Sequence, residues 1–467
     1  MIFLLLFSFL IPISTGLAIV KLLLDRYPEI KTPFLLKISL SVGLGLGFFS
    51  CLSFLWLLIF GPFNRGFVVA DLIICLGTIS LYVIQRISYP QPATPFSNSS
   101  SSVKVHWLIK LCFYVLLGYA LLTFILLFLI NPHGFWDAWA IWNTRARFLF
   151  RGPEYWSDAF SPFIISPDYP LLIPLTIARS WYYIKQETQL VPGLISLLFT
   201  FSTVGLMVSA QSTLRTKTQG YLAGMVLMGT PFLVFHGVSQ YADVPLGFFY
   251  FSVIVLFYLH DQTSKSGYGL LFLAGLMAGF AGWTKNEGLL FTLSIPLARL
   301  AVPKQTLKAY SMTMLFFVIG LLPVLLIILI FKTRLAPLNY LFSQGTQGLL
   351  PKLMDLSRYF QILKAFGLNF INFGLFPKLS LIPILGLYAC LLGFSIRKNW
   401  RNIRAPLILL GLVSAGYFIV FLCTTFELAF QLRTALGRLF LHLWPSALFI
   451  YFIIVNTPTF SKKPIKE

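Results

Sequence analysis

Charge is what this sequence has least of. Only 10% of its 467 residues are Asp, Glu, Lys or Arg, against about 25% in soluble globular domains. That excludes an ordinary water-soluble enzyme, whose surface needs more ionic groups than this chain has. Cysteine is scarce too. Cys51, Cys75, Cys112, Cys390 and Cys423 all lie inside apolar segments, and no paired spacing points to a disulfide framework or a zinc site. They read as small core residues. Acids are rare relative to bases, giving a formal charge of +21, yet the bases are scattered through short loops and make no patch or stripe. No nucleic-acid partner is expected. The first apolar stretch has no basic residue ahead of it and no small-residue cleavage site, so it reads as a helix and not as a signal peptide.

Apolar and aromatic residues are abundant. The chain is 58% hydrophobic with 48 Phe and 10 Trp, and its mean hydropathy is +0.84. A transmembrane helix takes about 20 mostly apolar residues, and about thirteen such runs recur between Gly, Pro and charged breaks. They fall near 1–24, 36–60, 67–84, 108–130, 191–210, 220–237, 245–259, 270–283, 288–301, 309–331, 379–396, 405–426 and 439–455. The fold class is therefore an all-α polytopic membrane protein. Residues 85–107 make a polar linker, and residues 358–376 form an amphipathic stretch suited to a membrane surface.

Pro170–Ile184 is apolar but short, and it holds Arg179. If it does not span, the bases Lys31, Lys37, Arg86, Lys104, Arg215, Lys217, Lys304, Lys308, the run Arg397–Arg404 and the tail Lys462, Lys463 and Lys466 all face the cytoplasm, as the positive-inside rule asks. The segment is then an interfacial helix, with the N-terminus outside and the C-terminus inside. This topology sends Asp137, Glu154, Asp158, Asp168, Glu187, Asp243, Glu287, Asp355 and Glu427 to the outer face, nine of the fourteen acids. Glu154, Asp158, Glu187 and Asp355 read as solvated loop charges. The others sit in Trp-rich or helix-terminal sequence, where charge is costly and commonly functional.

Asp137 lies between Trp136 and Trp139, with Trp142 following, in NPHGFWDAWAIWNTRARFLF (131–150). Poor solvation among indoles would raise its pKa and basicity; capping a helix in an aromatic belt is the plainer role. Asp168 and Tyr169 sit in a Pro-Asp-Tyr-Pro sequence that is also a turn signal. Asp243 precedes Pro245, where it would cap a helix. Lys285, Asn286 and Glu287 are packed between two Gly-rich helices, and Lys285 suits a phosphate. Arg438 and His442 stand one turn apart near the start of the last helix, where Arg438 would either snorkel or bind phosphate.

The outer face has no pool of ATP or nucleotide sugars, so a synthetic enzyme there needs its activated group delivered in the lipid. A phosphate-linked lipid donor fits. It requires a base near the acceptor hydroxyl, Asp137 or Asp168, and cations on the departing phosphate, Lys285 and Arg438.

The series WDAWAIWNTRARFLF, PDYPLLIP, QYADVPL, WTKNEG and RLFLHLWP resembles bacterial membrane glycosyltransferases of the GT-C superfamily, akin to the protein mannosyltransferase and aminoarabinose transferase group (glycosyltransferase family 39-like), over about residues 108–455. The resemblance implies a GT-C-type fold with interfacial helices in outer loop 131–190 and a catalytic carboxylate at Asp137. It also implies a polyprenyl-phosphate sugar donor and inverting transfer to a glycan, lipid or protein acceptor, in a bacterial inner (plasma) membrane. Trp139, Tyr169, Asp243, Asn286, Glu287 and His442 would support the donor or acceptor. Some members use a divalent cation, for which Asp137, Asp168 and Glu287 would be the oxygen ligands to Mg²⁺ or Mn²⁺. Members often carry His where this chain has Ser166, which weakens a His-assisted metal site. The layout would be an extension and linker at 1–107, a seven-helix module at 108–331, an outer loop at 332–378, and three helices with a basic tail at 379–467. The competing readings are a transporter or flippase of lipid-linked saccharides and an O-antigen ligase or polymerase. The first should place ionisable groups at midplane, and the second should concentrate acids in the late loop, where only Asp355 stands.

Overall fold

The computed structural model describes residues 1–26, 32–88, 105–152, 156–263, 267–302, 306–337, 345–373 and 380–458. Lys31, Lys104, Glu154, Lys304, Lys462, Lys463, Lys466, residues 89–104 of the linker and residues 374–376 of the amphipathic stretch lie outside them. All named elements are helices. In chain order the first six are α1 (Ile2–Leu24), α2 (Phe34–Phe60), α3 (Arg65–Ser88), α4 (Trp107–Ile130), α5 (Asn143–Phe150) and α6 (Leu172–Ile184). The middle of the chain makes α7 (Leu190–Leu214), α8 (Lys217–Met228), α9 (Pro231–Val238), α10 (Asp243–Asp261), α11 (Tyr268–Thr284), α12 (Asn286–Arg299) and α13 (Leu307–Arg334). The last five are α14 (Gly345–Met354), α15 (Leu356–Asn372), α16 (Leu381–Leu392), α17 (Ile396–Cys423) and α18 (Leu428–Ile454).

Among the described residues nine helices are long and apolar enough to cross a membrane: α1 to α4, α7, α10, α13, most of α17, and α18. The number rises to ten if α8 and α9, bent by 61°, count as one span. The bend follows from Pro231 at the start of α9, which has no amide hydrogen to continue the ladder of α8. Three other expected spans form shorter helices, α11 of 17 residues, α12 of 14 and α16 of 12. At about 1.5 Å per residue, α12 is roughly 21 Å long, short of a hydrocarbon layer of about 30 Å.

Within lipid every polar group must be satisfied inside the protein. The Thr200 and Thr203 hydroxyls accordingly donate to the carbonyls of Ser196 and Phe199 one turn back, each at 2.7 Å. α10 is the buried centre, enclosed by α7, α11 and α18. α3 and α4 are peripheral, and their exposed Ile73, Leu76, Val115 and Leu122 make an apolar flank.

α6 covers the segment expected to be an interfacial helix and is 13 residues long. It is enclosed by α1, α2 and α5, and Arg179 is 2% exposed. The Arg179 guanidinium donates to Asp71 Oδ2 at 2.9 Å and to the Ser8 carbonyl at 2.7 Å, while the Tyr183 hydroxyl donates to the same Asp71 oxygen at 2.8 Å. The first three helices roof over what would otherwise be a surface helix.

Candidate functional site

The loop after α4 is tied to the turn between α9 and α10. Gly134 takes φ +71°, and a Cβ there would stand 2.6 Å from the Ser239 carbonyl oxygen. Only glycine allows that approach. The Phe135 amide donates to the same oxygen at 3.2 Å. Gln240 donates to the Pro132 carbonyl at 2.9 Å and accepts from Asn143 at 3.2 Å. These contacts set Asp137, which opens a π-helical turn over Ala138–Trp142, beside Asp243 at the start of α10.

Arg438 joins the two carboxylates. Its Nη2 pairs with Asp137 Oδ2, while Nε and Nη2 reach Asp243 Oδ2 at 3.0 and 2.9 Å. The other Asp243 oxygen meets Lys285 Nζ at 3.0 Å and His442 Nε2 at 2.7 Å. Lys285 also pairs with Glu287 at 3.1 Å. Neither Asp137 nor Asp243 caps its helix.

Sequence reasoning puts Arg438 near a helix start, but α18 begins ten residues earlier, at Leu428. Arg438 is therefore within the helix and holds two carboxylates in place of snorkelling. His442 is fully buried. Its Nε2 lies 2.7 Å from Asp243 Oδ1, and its other ring nitrogen, Nδ1, is hydrogen-bonded with the Tyr417 hydroxyl at 3.1 Å. Tyr250 lies 3.3 Å from Tyr417 and donates to the Glu287 carbonyl at 2.6 Å.

The turn that carries Lys285 is tight. A Cβ on Gly288 would fall 2.0 Å from the Ala281 carbonyl oxygen, so glycine lets α11 and α12 close together. Lys285 is only 3% exposed. Burial works against its charge, but Asp243 and Glu287 outweigh that and hold its pKa above the ordinary lysine value.

Asp168 lies beyond this turn. Its Oδ2 accepts from Asn286 at 2.6 Å, and Asn286 in turn accepts from Lys332 at 2.7 Å. Lys332 also donates to the Asp168 carbonyl and stands 3.7 Å from its carboxylate. Arg145, wholly buried, donates to the carbonyls of Ala159, Pro167 and Tyr169 and so fixes the Pro-Asp-Tyr-Pro segment. Burial pushes its pKa down to about 9, with Asp168 pulling the other way, so it remains charged at neutral pH.

The cage of three indoles expected around Asp137 is not formed. Trp136 and Trp139 are 51% and 48% exposed. Trp142 alone is buried, stacked on Tyr169 at 5.7 Å. The helical turn carries these side chains to different faces, and a guanidinium stands where apolar cover was expected.

All the ionic residues singled out in the sequence thus gather at one end of the bundle. Asp137, Asp243, Lys285, Glu287, Arg438 and His442 form one network; Asp168 and Asn286 form a second, joined to it through consecutive residues 285–287. The loop acids do otherwise: Glu187 pairs with Arg151 at 2.6 Å and Asp355 caps α15. Lys332, Arg145, Tyr417 and Tyr250 are site residues that sequence reasoning missed. Lys332 carried only a faint signal, because it shares the end of its apolar run with Arg334 and reads like any pair of helix-terminal bases. Asp137, Asp168 and Glu287 each answer a different partner, and among the described residues no group of three His, Cys, Asp or Glu is gathered as a metal site. These three therefore do not fit a shared cation.

An apolar groove of about 410 Å³ runs along α4 and the bend between α8 and α9, lined by Leu116, Tyr119, Thr123, Leu127, Phe232 and Phe235 among others. It approaches the first network through aromatic contacts. Phe235 packs on Phe135, two residues before Asp137, at 4.9 Å, and His236 lies 5.9 Å from Tyr241. The Tyr241 ring sits under the Arg438 guanidinium at 4.7 Å. No model of a known protein family, no curated protein and no solved structure matches this chain.

Proposed function

We propose that the chain is a membrane glycosyltransferase that moves a sugar from a polyprenyl-phosphate donor to a hydroxyl of a glycan, lipid or protein on the non-cytoplasmic face of a bacterial plasma membrane. The observation that carries the reading is the pairing of Asp137 with Arg438 in a partly open site beside a groove suited to an acyl or prenyl chain. A carboxylate and a guanidinium are the two groups such a transfer needs within reach of one another. The resemblance of the sequence to GT-C enzymes supports the same reading.

In this mechanism Asp137 takes the proton of the acceptor hydroxyl. The acceptor oxygen forms its bond to the anomeric carbon from the face opposite the phosphate. The carbon–oxygen bond to phosphate breaks, and the phosphate departs with that electron pair and with the polyprenol attached, giving inversion. Arg438 meets the developing charge. Lys285, walled in by Asp243 and Glu287, supports the carboxylate that positions Arg438; direct contact with phosphate falls to Arg438, whose side chain is 20% exposed. The second network, with Asp168, Asn286, Lys332 and Tyr169, borders the acceptor.

The test is sugar transfer by purified protein in lipid from a panel of radiolabelled polyprenyl-phosphate sugars. Asp137→Asn keeps the shape and removes the base, and transfer should fall about 10²- to 10⁴-fold. Undiminished transfer would overturn the assignment of Asp137. Movement of intact lipid-linked sugar across the bilayer, with no transfer from any donor, would favour a flippase.

A further inference from the structure

Asp137 and Asp243 hold the same guanidinium on unequal terms. Asp243 is completely buried and answered by Arg438, Lys285 and His442 together. Among the described residues Arg438 alone pairs with the Asp137 carboxylate, whose side chain is 12% exposed. The guanidinium has two usable edges. The Nε–Nη2 edge is spent on Asp243. Among the described residues the Nη1–Nη2 edge is met by Asp137 at Nη2 only.

That outward edge has the fork geometry that takes two phosphate oxygens side by side. Asp137 occupies half of it. We propose, building on the transferase reading above, that Asp137 is a placeholder for the donor phosphate: the incoming phosphate takes the Nη1–Nη2 edge of Arg438, displaces Asp137, and so frees the carboxylate to accept a proton. Without donor the base is neutralised by the cation meant for the leaving group. The acceptor hydroxyl then meets a competent base only after donor has bound, so productive binding is ordered, donor first.

The exchange does not unravel the site, because Arg438 remains anchored by Asp243. Asp243 stays in place through Lys285 and His442, and His442 through Tyr417. Asp137 sits on a loop tethered by Gly134 and Gln240, so its side chain can swing while its backbone stays put.

The test measures binding of farnesyl phosphate, a short phosphate lipid with no sugar, to the full-length protein in nanodiscs. Asp137→Asn removes the competitor and should tighten binding about tenfold or more. Glu187→Gln removes the same charge from a loop ion pair with Arg151, outside both networks, and should leave affinity within about twofold. Arg438→Gln should abolish binding. Unchanged or weaker binding in Asp137→Asn, or equal tightening in Asp137→Asn and Glu187→Gln, overturns the placeholder and leaves the donor class standing. Absence of binding by the wild type overturns the donor class and the placeholder with it. A second measurement uses the wild type only: carbodiimide labelling of Asp137, read by mass spectrometry, should accelerate when farnesyl phosphate is added. Protection without acceleration counts against displacement.

Discussion

Lys285 shows how much burial changes the meaning of a residue. In the sequence it stands in a polar turn and suits a phosphate; in the structure its ammonium is shut in with two carboxylates. Removing one partner of a buried pair commonly costs about 3–5 kcal/mol because the remaining charge is left unanswered. Lys285→Met should therefore lower the unfolding temperature sharply, while Arg438→Met, at a more exposed position, should lower it less. Differential scanning fluorimetry in detergent compares them. The pH dependence has a definite sign. Lys285 has a folded-state pKa above its unfolded value, so its contribution is complete below about pH 10.4 and is lost as pH rises through the folded value. The alkaline loss of stability should be smaller in Lys285→Met than in the wild type. Asp137, Asp243, Arg438 and His442 were legible as site residues because charge inside apolar sequence is costly and needs a reason. Tyr250 and Tyr417 were not, since a tyrosine in an apolar helix has no pattern to mark its hydroxyl as paired. Arg145 was hidden for a related reason: its partners are backbone carbonyls, which every residue has.

Elements were most legible where hydropathy alone sets them. The long helices fall where the apolar runs do. The burial of α6 and the start of α18 were less legible, because tertiary contacts decide them. α6 reads as interfacial because the positive-inside rule disfavours its spanning; local sequence does not show that its Arg179 finds partners far away, Asp71 on α3 and the Ser8 carbonyl on α1. α18 runs back to Leu428 through Gln431, Arg433 and Thr434, residues that local hydropathy would place in a loop. The Asp71–Arg179 pair makes the first three helices a brace for the loop that carries Asp137 and Asp168. Either Asp71→Ala or Arg179→Met should destabilise the protein by about 3–5 kcal/mol, and the double variant by clearly less than the sum. Hydrogen exchange should show the loss first in residues 172–184. Additive effects would mean that the pair is not coupled.

At the scale of the whole molecule, sidedness is the expectation most directly open to test. After the five native cysteines are replaced by serine, a cysteine at Phe163, 95% exposed near the site, should react with a membrane-impermeant maleimide from outside the cell. A cysteine at Leu307, 81% exposed at the opposite end of α13, should react only after the membrane is opened. The reverse pattern would turn the site toward the cytoplasm and remove the argument for a lipid-borne donor. That argument rests on distributed basic loops, which sequence displays directly; the convergence of Asp137, Asp243 and Arg438 was not legible, because no local pattern encodes which helix ends meet.

The groove along α4 lies on the flank of the bundle, with Tyr119 and Phe235 exposed at its rim. A substrate arriving there comes from the plane of the membrane, so the protein samples it per unit area and not per unit volume. Adding plain phospholipid to a reconstituted reaction, at fixed amounts of protein and lipid donor, should slow turnover in proportion to the added lipid. Doubling the buffer should leave the donor dependence unchanged. If the proposed transfer holds, the protein would respond to how crowded its membrane is with substrate, and be largely indifferent to how large the surrounding compartment happens to be.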